Sequence, residues 1–140
     1  MNKNFLGDTI INLHTAIKTL IETEFSNIGI GYGQVNILMK LYFDEEVMVK
    51  QTALVKSLGI DKSNASRNIL KLKEKGYIDV VLLNKRDKGI TLSPKGKELK
   101  PRIIKILNTI SDKMTKGISE EQATITNHVL QAMKGNLEWI

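Results

Sequence analysis

The stretch Gly59–Ile78, GIDKSNASRNILKLKEKGYI, holds the residues that decide the fold. Stepped at about 100° per residue, Ala65, Ile69 and Leu72 fall within about 60° of one another and form a narrow apolar stripe. Ser63, Asn64, Arg67 and Lys71 lie roughly opposite, and the one acid there, Glu74, sits near the far end. Asp61 or Ser63 supplies an oxygen for the orphan N–H groups of the first turn. Gly76 can take the left-handed conformation that ends helices. One face is therefore fixed to a core, and the other offers hydrogen-bond donors over the first three turns. A solvated surface helix would read the same way in isolation, so the neighbouring segments decide.

Before this helix, Asp8–Phe25 has apolar residues at Ile10, Leu13, Ile17, Leu20 and Ile21, the spacing of an amphipathic helix. Gly29, Gly31 and Gly33 break it. Gln34–Phe43 is a second helix with Val35, Leu38, Leu41 and Tyr42 inward, and Val47–Val49 has strand character. Gln51–Leu58 is a short third helix, stopped by Gly59, with Leu54, Val55 and Leu58 as its apolar side. After Gly76 the period changes. Tyr77–Leu83 and Gly89–Leu92 are rich in strand formers, and the polar, basic Asn84–Gly89 between them is a hairpin tip. Ser93-Pro94 opens a long helix with Leu99, Ile103, Ile106 or Leu107, Ile110 and Met114 on one side. Pro101 is expected to bend it or delay its regular start. Ser119 and Gln122 form a capping box for a last helix striped by Ile125, Val129, Met133 and Leu137. The fold class is mainly α with a small β-wing: two short helices joined by a tight turn, followed by a basic hairpin, make a winged helix-turn-helix.

Charge follows this organisation. The chain of 140 residues has a net charge of +6. Residues 61–102 hold twelve Lys and Arg against five acids, whereas the rest holds nine against ten. Localised basicity suits a polyphosphate surface, although an anionic membrane or an acidic protein would attract it too. A helix with donors outward fits the DNA major groove, where Asn64 and Arg67 can pair with base edges and Ser63, Ser66, Lys62 and Lys71 can hold phosphates. Lys50, Gln51 and Thr52 open the third helix, whose N–H groups can hold a further phosphate.

Several chemistries are absent. With no cysteine, disulfides, thiolate metal sites and cysteine redox switches are excluded. The two histidines, His14 and His128, lie on different helices without companion ligands, which argues against zinc. The glycines of Gly29–Gly33 lack the residues of a phosphate loop, and no catalytic set appears, so no cofactor and no enzymatic activity are expected. The N-terminus does not read as a signal peptide, no segment is apolar enough to span a bilayer, and a cytoplasmic protein is expected.

The segments Gln51–Ile78 and Ile90–Leu99 resemble the MarR family of bacterial transcription regulators. That family typically shows a short helix ending in a Leu-Gly-Ile turn, then a recognition helix ending in Leu-x-x-x-Gly-x-Ile. After its wing comes Leu-Thr-x-x-Gly, here Leu92-Ser93-Pro94-Lys95-Gly96. The order of elements extends the resemblance over nearly the whole chain. It implies a winged helix-turn-helix lobe over 33–93 and dimerisation helices over 1–28 and 94–140. It also implies a homodimer on a pseudo-palindromic operator in double-stranded DNA, working as a repressor. Interface residues would include Ile10, Leu13, Ile17, Ile106, Ile110, Met114, Val129, Met133, Leu137 and Trp139. The family wing usually carries Asp-Arg-Arg, whose second Arg enters the minor groove. Here the wing is about two residues shorter and reads Lys85-Arg86-Asp87-Lys88-Gly89, with Arg86 standing in and Lys85 and Lys88 near phosphates. The family often senses a small aromatic acid or phenol, for which His14, Met39, Tyr42 and Trp139 are candidate liners. A protein-interaction module that binds DNA only without sequence preference remains the alternative.

Overall fold

The computed structural model describes residues 5–138, so the interface candidate Trp139 lies outside the described residues. The elements run α1 (Leu6–Phe25), a 3-10 turn (Ser26–Ile28), α2 (Tyr32–Tyr42), β1 (Val49–Lys50), α3 (Gln51–Leu58), α4 (Lys62–Glu74), β2 (Ile78–Leu82), β3 (Lys88–Leu92), α5 (Pro94–Met114) and α6 (Glu120–Leu137). The strands form one antiparallel sheet in the order β1-β3-β2, with Val49 opposite Ile90 and Ile78 opposite Leu92. The chain divides into two compact units, Met1–Leu107 and Asn108–Ile140.

In the first unit the core is the apolar stripes of the helices closed over the sheet. Phe25, Val35, Ile37, Leu38, Ala65, Leu72, Ile78 and Ile90 are buried, and Leu54 and Ile69 join them. The stripe of α4 thus faces inward as its spacing requires. Its cap is Asp61, whose carboxylate accepts from the Asn64 N–H at 2.8 Å. Its end is a left-handed Gly76 (φ +81°), with the Tyr77 N–H donating to the Leu72 carbonyl and the Gly76 N–H to that of Lys73. The Lys75 ammonium folds back to the Gly29 carbonyl and to Gln34 Oε1, fastening the end of α4 to the turn before α2. Burial, with Lys71 adding, holds it below the ordinary lysine range.

Several boundaries differ from the sequence reading, among them the start of α1, which is Leu6 and not Asp8. Helix α2 begins two residues early, because Gly31 takes an extended conformation suited to a cap. Gly33 is therefore helical, and a Cβ there would lie 2.4 Å from Asn68 Nδ2 of α4. The glycine marks a close helix approach, not a break. β1 pairs only at Val49 and Lys50, and Val47 is exposed. Pro101 does not delay α5, which is helical from Pro94 onward and includes Pro101.

The turn from β3 into α5 joins the parts of the first unit. The Ser93 hydroxyl donates to the Gly76 carbonyl at 2.5 Å and accepts from the Gly96 N–H at 3.0 Å. The Ser93 N–H donates to the Tyr77 carbonyl at 3.1 Å. The buried Tyr42 hydroxyl donates to the Gly96 carbonyl at 2.7 Å. A Cβ on Gly96 would stand 2.1 Å from the Tyr77 carbonyl oxygen, so no side chain fits.

In the second unit, Ser119 caps α6 through the expected box: its hydroxyl accepts from the Gln122 N–H, and its N–H donates to the Gln122 side chain. No residue of α6 is buried.

Gly96→Ala should destabilise the protein by roughly 2 kcal/mol or more, because backbone must move to admit the methyl group. Ser93→Ala should cost about 1–3 kcal/mol by removing the bond to Gly76 and stranding the buried Gly96 N–H, and Ser93→Thr should largely restore it. Denaturant melts check both. Burial, with a contribution from Tyr77, pushes the Tyr42 hydroxyl up to about 12. Its contribution to stability is then intact below the ordinary value near 10 and lost as pH rises through about 12. Tyr42→Phe should remove that alkaline step from the pH dependence of the melt.

Candidate nucleic-acid interface

Two adjoining surfaces of the first unit carry the basic residues. The first is the outer face of α4. Ser63, Arg67 and Lys71 are exposed at four-residue spacing, one turn apart on the side opposite Ala65, Ile69 and Leu72. The Arg67 side chain makes no hydrogen bond or ion pair with the described residues. Asn64 is half-buried, and its side-chain oxygen already accepts from Asn68 Nδ2 at 3.0 Å. Asn68 was not singled out in the sequence. Its amide also donates to the Asn64 carbonyl at 3.1 Å and fills the space left open by Gly33.

The second surface is a cleft of about 470 Å³ between the starts of α3 and α4 and the wing. Lys62, Ser66, Gln51 and Thr52 line one side, Lys85, Arg86 and Lys88 the other, and Val55 and Leu82 contribute apolar area. Lys56, which the sequence reading passed over, adds a further cation. Lys62, Lys85, Arg86 and Lys88 are exposed. Seven of the twelve residues read as DNA-binding thus border one cleft. Asn64, Arg67, Ser63 and Lys71 are on the neighbouring helix face, and Lys50 is exposed at the end of β1.

The start of α3 differs from expectation. Its Thr52 N–H is not free for a phosphate. It donates to the Asp87 carboxylate of the wing at 3.3 Å, and the Thr52 hydroxyl donates to the same carboxylate at 2.9 Å. Lys50, the residue before the helix, has no side chain able to cap it, and Asp87 supplies the missing acceptor. The hydrogen bond from the Thr52 hydroxyl, aided by the N–H groups of Lys88 and Thr52 and the charge of Lys50, holds the Asp87 carboxyl below the usual range. The Gln51 side-chain oxygen is buried without a hydrogen-bond partner, which removes it from the outer surface.

The wing tip is ordered by its own turn. The N–H groups of Leu83 and Asn84 donate to the Asp87 carbonyl, and the Arg86 N–H donates to Asn84 Oδ1 at 2.8 Å. Arg86 and Lys85 project from this turn.

Of the four effector-liner candidates, Trp139 lies outside the described residues, and the other three have different surroundings. Met39 borders a groove of about 850 Å³ between α2 and α3, together with Phe43, Leu54 and Leu58. Tyr42 is buried and tied to Gly96, and His14 stands edge-on to Tyr32 with ring centres 6.0 Å apart. Among the described residues no group of three or more His, Asp or Glu is placed to hold a metal ion, and no helix is long and apolar enough to cross a membrane.

No protein-family model matches the chain. Among solved structures, a MarR transcriptional regulator from Methanosarcina mazei Go1 is 30% identical, covers 100% of this chain and 94% of that one, and superposes with a TM-score of 0.87. A mutant MarR from E. coli complexed with operator DNA is 18% identical over 91% of this chain and 92% of its own, with a TM-score of 0.81, a likeness of fold alone. The uncharacterized HTH-type transcriptional regulator YybA of Bacillus subtilis (strain 168) is 24% identical over 125 residues, 88% of this chain and 82% of that protein.

The Asp87 cap has a measurable titration. Because its carboxyl is depressed in the fold, the stabilisation is present above the ordinary carboxylate value of about 4 and is lost as pH falls through the lower folded value. Thr52→Val should move the Asp87 midpoint up toward the ordinary value in a carboxyl-carbon NMR titration. An unmoved midpoint would exclude the hydroxyl as the cause.

Proposed function

The chain belongs to the MarR family of DNA-binding transcriptional regulators, and from that membership we propose that it acts as a homodimeric repressor on a pseudo-palindromic operator. The observation that carries this is the pairing of an exposed donor row on α4 with a cationic cleft against the wing. The helix face would enter the major groove, with Arg67 as the main base reader and Ser63 and Lys71 on phosphates. Arg86 at the wing tip would reach the adjacent minor groove, and Lys62, Lys85 and Lys88 would follow the backbone between the two.

Dimerisation is supported by apolar surface left open on α1, α5 and α6. On α1, Ile10, Ile11 and Leu13 are exposed, Ile11 at 64%, while Ile17 is half-buried. On α6, Ile125, Val129 and Leu137 are exposed, Leu137 at 68%, and Met133 is half-buried. On α5, Met114 is exposed, Ile106 half-buried and Ile110 buried. A second copy covering these stripes would set two lobes on half-sites about 10 base pairs apart. Such a dimer blocks polymerase by occupying the promoter. A small aromatic or phenolic effector that favours a different lobe spacing would release it. Met39, one of the candidate liners, borders the groove between α2 and α3.

Selection from a random duplex library at about physiological salt should enrich an inverted repeat. Binding without enrichment, confined to low salt, would instead favour docking of an acidic protein partner. On the enriched duplex, Arg67→Ala should cost about 1–3 kcal/mol and relax sequence preference. Lys85→Ala should weaken all duplexes alike and lower the salt slope by about one. Sedimentation should give a dimer, and Val129→Glu should shift it toward monomer.

A further inference from the structure

We infer that Asp87 is a positioning residue for DNA reading: by capping α3 from the wing, it fixes the wing cations relative to the recognition helix. The inference rests on the DNA-binding reading above and adds a residue of the wrong charge for contact with phosphate.

The geometry is specific. Asp87 sits between Arg86 and Lys88, so the chain reverses its charge for one residue in the middle of the most basic part of the wing. A carboxylate there opposes phosphate binding, and a plain electrostatic surface would be better without it. What the carboxylate does is accept two hydrogen bonds from Thr52, at 2.9 Å and 3.3 Å, across 35 residues of sequence. Both of its oxygens are used, and the Lys88 N–H also donates to one of them at 2.9 Å. α3 has no side-chain cap from its own flank.

The wing needs such a tie. β2 and β3 pair with each other up to Leu82 and Lys88, and β1 pairs with β3 only at Val49 and Lys50. The five residues of the tip, 83–87, lie beyond the ladder. Asp87 is the one of them bonded outside the hairpin, and it is bonded to the helix that precedes α4. Arg86, the adjacent residue, is exposed and otherwise held only by its backbone bond to Asn84. A bond at Asp87 sets where the Arg86 side chain starts, and so the offset between the two grooves the lobe can address.

Three variants separate this role from a simple charge effect. Thr52→Val keeps the charge and removes the hydroxyl. Asp87→Asn keeps an oxygen acceptor and removes the charge. Asp87→Ala removes both. Each is measured on the duplex enriched from the random library and on a scrambled duplex of the same length. Thr52→Val and Asp87→Ala should lower the ratio of specific to scrambled affinity by about tenfold, the order expected for a charge-assisted hydrogen bond. Asp87→Asn should raise both affinities together and keep the ratio. If Asp87→Ala and Asp87→Asn instead raise both affinities equally with the ratio unchanged, Asp87 is only a charge and the inference fails. Amide exchange on the DNA-free full chain gives a second, independent reading. Exchange of the Thr52 N–H should quicken in Asp87→Ala and stay slow in Asp87→Asn, and equal exchange in wild type and Asp87→Ala would overturn the tie whatever DNA does. A wild-type protein that prefers no duplex, yet shows the exchange difference, would sink the DNA-reading function and leave the tie standing.

Discussion

The Tyr77 carbonyl is the point on which the first unit turns. It lies just past the left-handed glycine that ends the recognition helix, accepts from the Ser93 N–H, and touches the bare Cα side of Gly96. One peptide group thus meets the end of α4, the exit of the wing and the start of α5. Tyr42 brings α2 to the same place through the Gly96 carbonyl, and Ser93 bonds back to Gly76. The short motif Leu-Ser-x-x-Gly has a physical content here. The serine satisfies a helix-end carbonyl and caps the next helix, and the glycine lets two backbones come within contact distance.

That joint explains how a small sheet can carry a wing. β1 contributes two residues, and β2 forms an edge with Val81 and Leu82 exposed. Such a sheet has little core of its own, since of its strands mainly Val49, Ile78 and Ile90 are buried. Its orientation comes from its ends: Ile78 follows the closed end of α4, Leu92 runs into Ser93, and the tip meets α3 through Asp87. Ordered backbone, more than side-chain packing, holds the basic hairpin beside the recognition helix.

Much of this was legible from local signals. The limits of α3 and α4 follow from Gly59, Asp61 and Gly76, because caps and left-handed stops act on residues nearby in sequence. The inward stripes of α2 and α4 follow from spacing alone, and the box at Ser119 needs only four residues to recognise. What escaped was set by distance in the chain. Asp87 and Thr52 are far apart in sequence, so one N–H of a helix start that looked open to phosphate is already engaged. Gly33 looked like a break because its neighbour, Asn68, belongs to another helix. Tyr42 bonds to Gly96, and nothing in its own segment announces that contact. The strength of the exposed stripes on α1 and α6 was visible from sequence, and the burial of Ile110 was not.

The pair Asn64 and Asn68 has a consequence for the vocabulary of the recognition helix. Asn64 has its carbonyl-type oxygen engaged by its neighbour one turn on, which leaves the NH2 group as its free end. An asparagine in that state would have to share its oxygen between Asn68 and an adenine amino group to make the two-way pairing. Arg67 and Lys71 are donors only. For a lobe that reads DNA through this face, the charged groups of the helix would give protons, with the Ser63 hydroxyl able to give or accept. The base edges that answer are those rich in acceptors, above all the N7 and O6 of guanine. A packing contact between α2 and α4 thereby bears on which groups of the outer face of α4 stay unengaged.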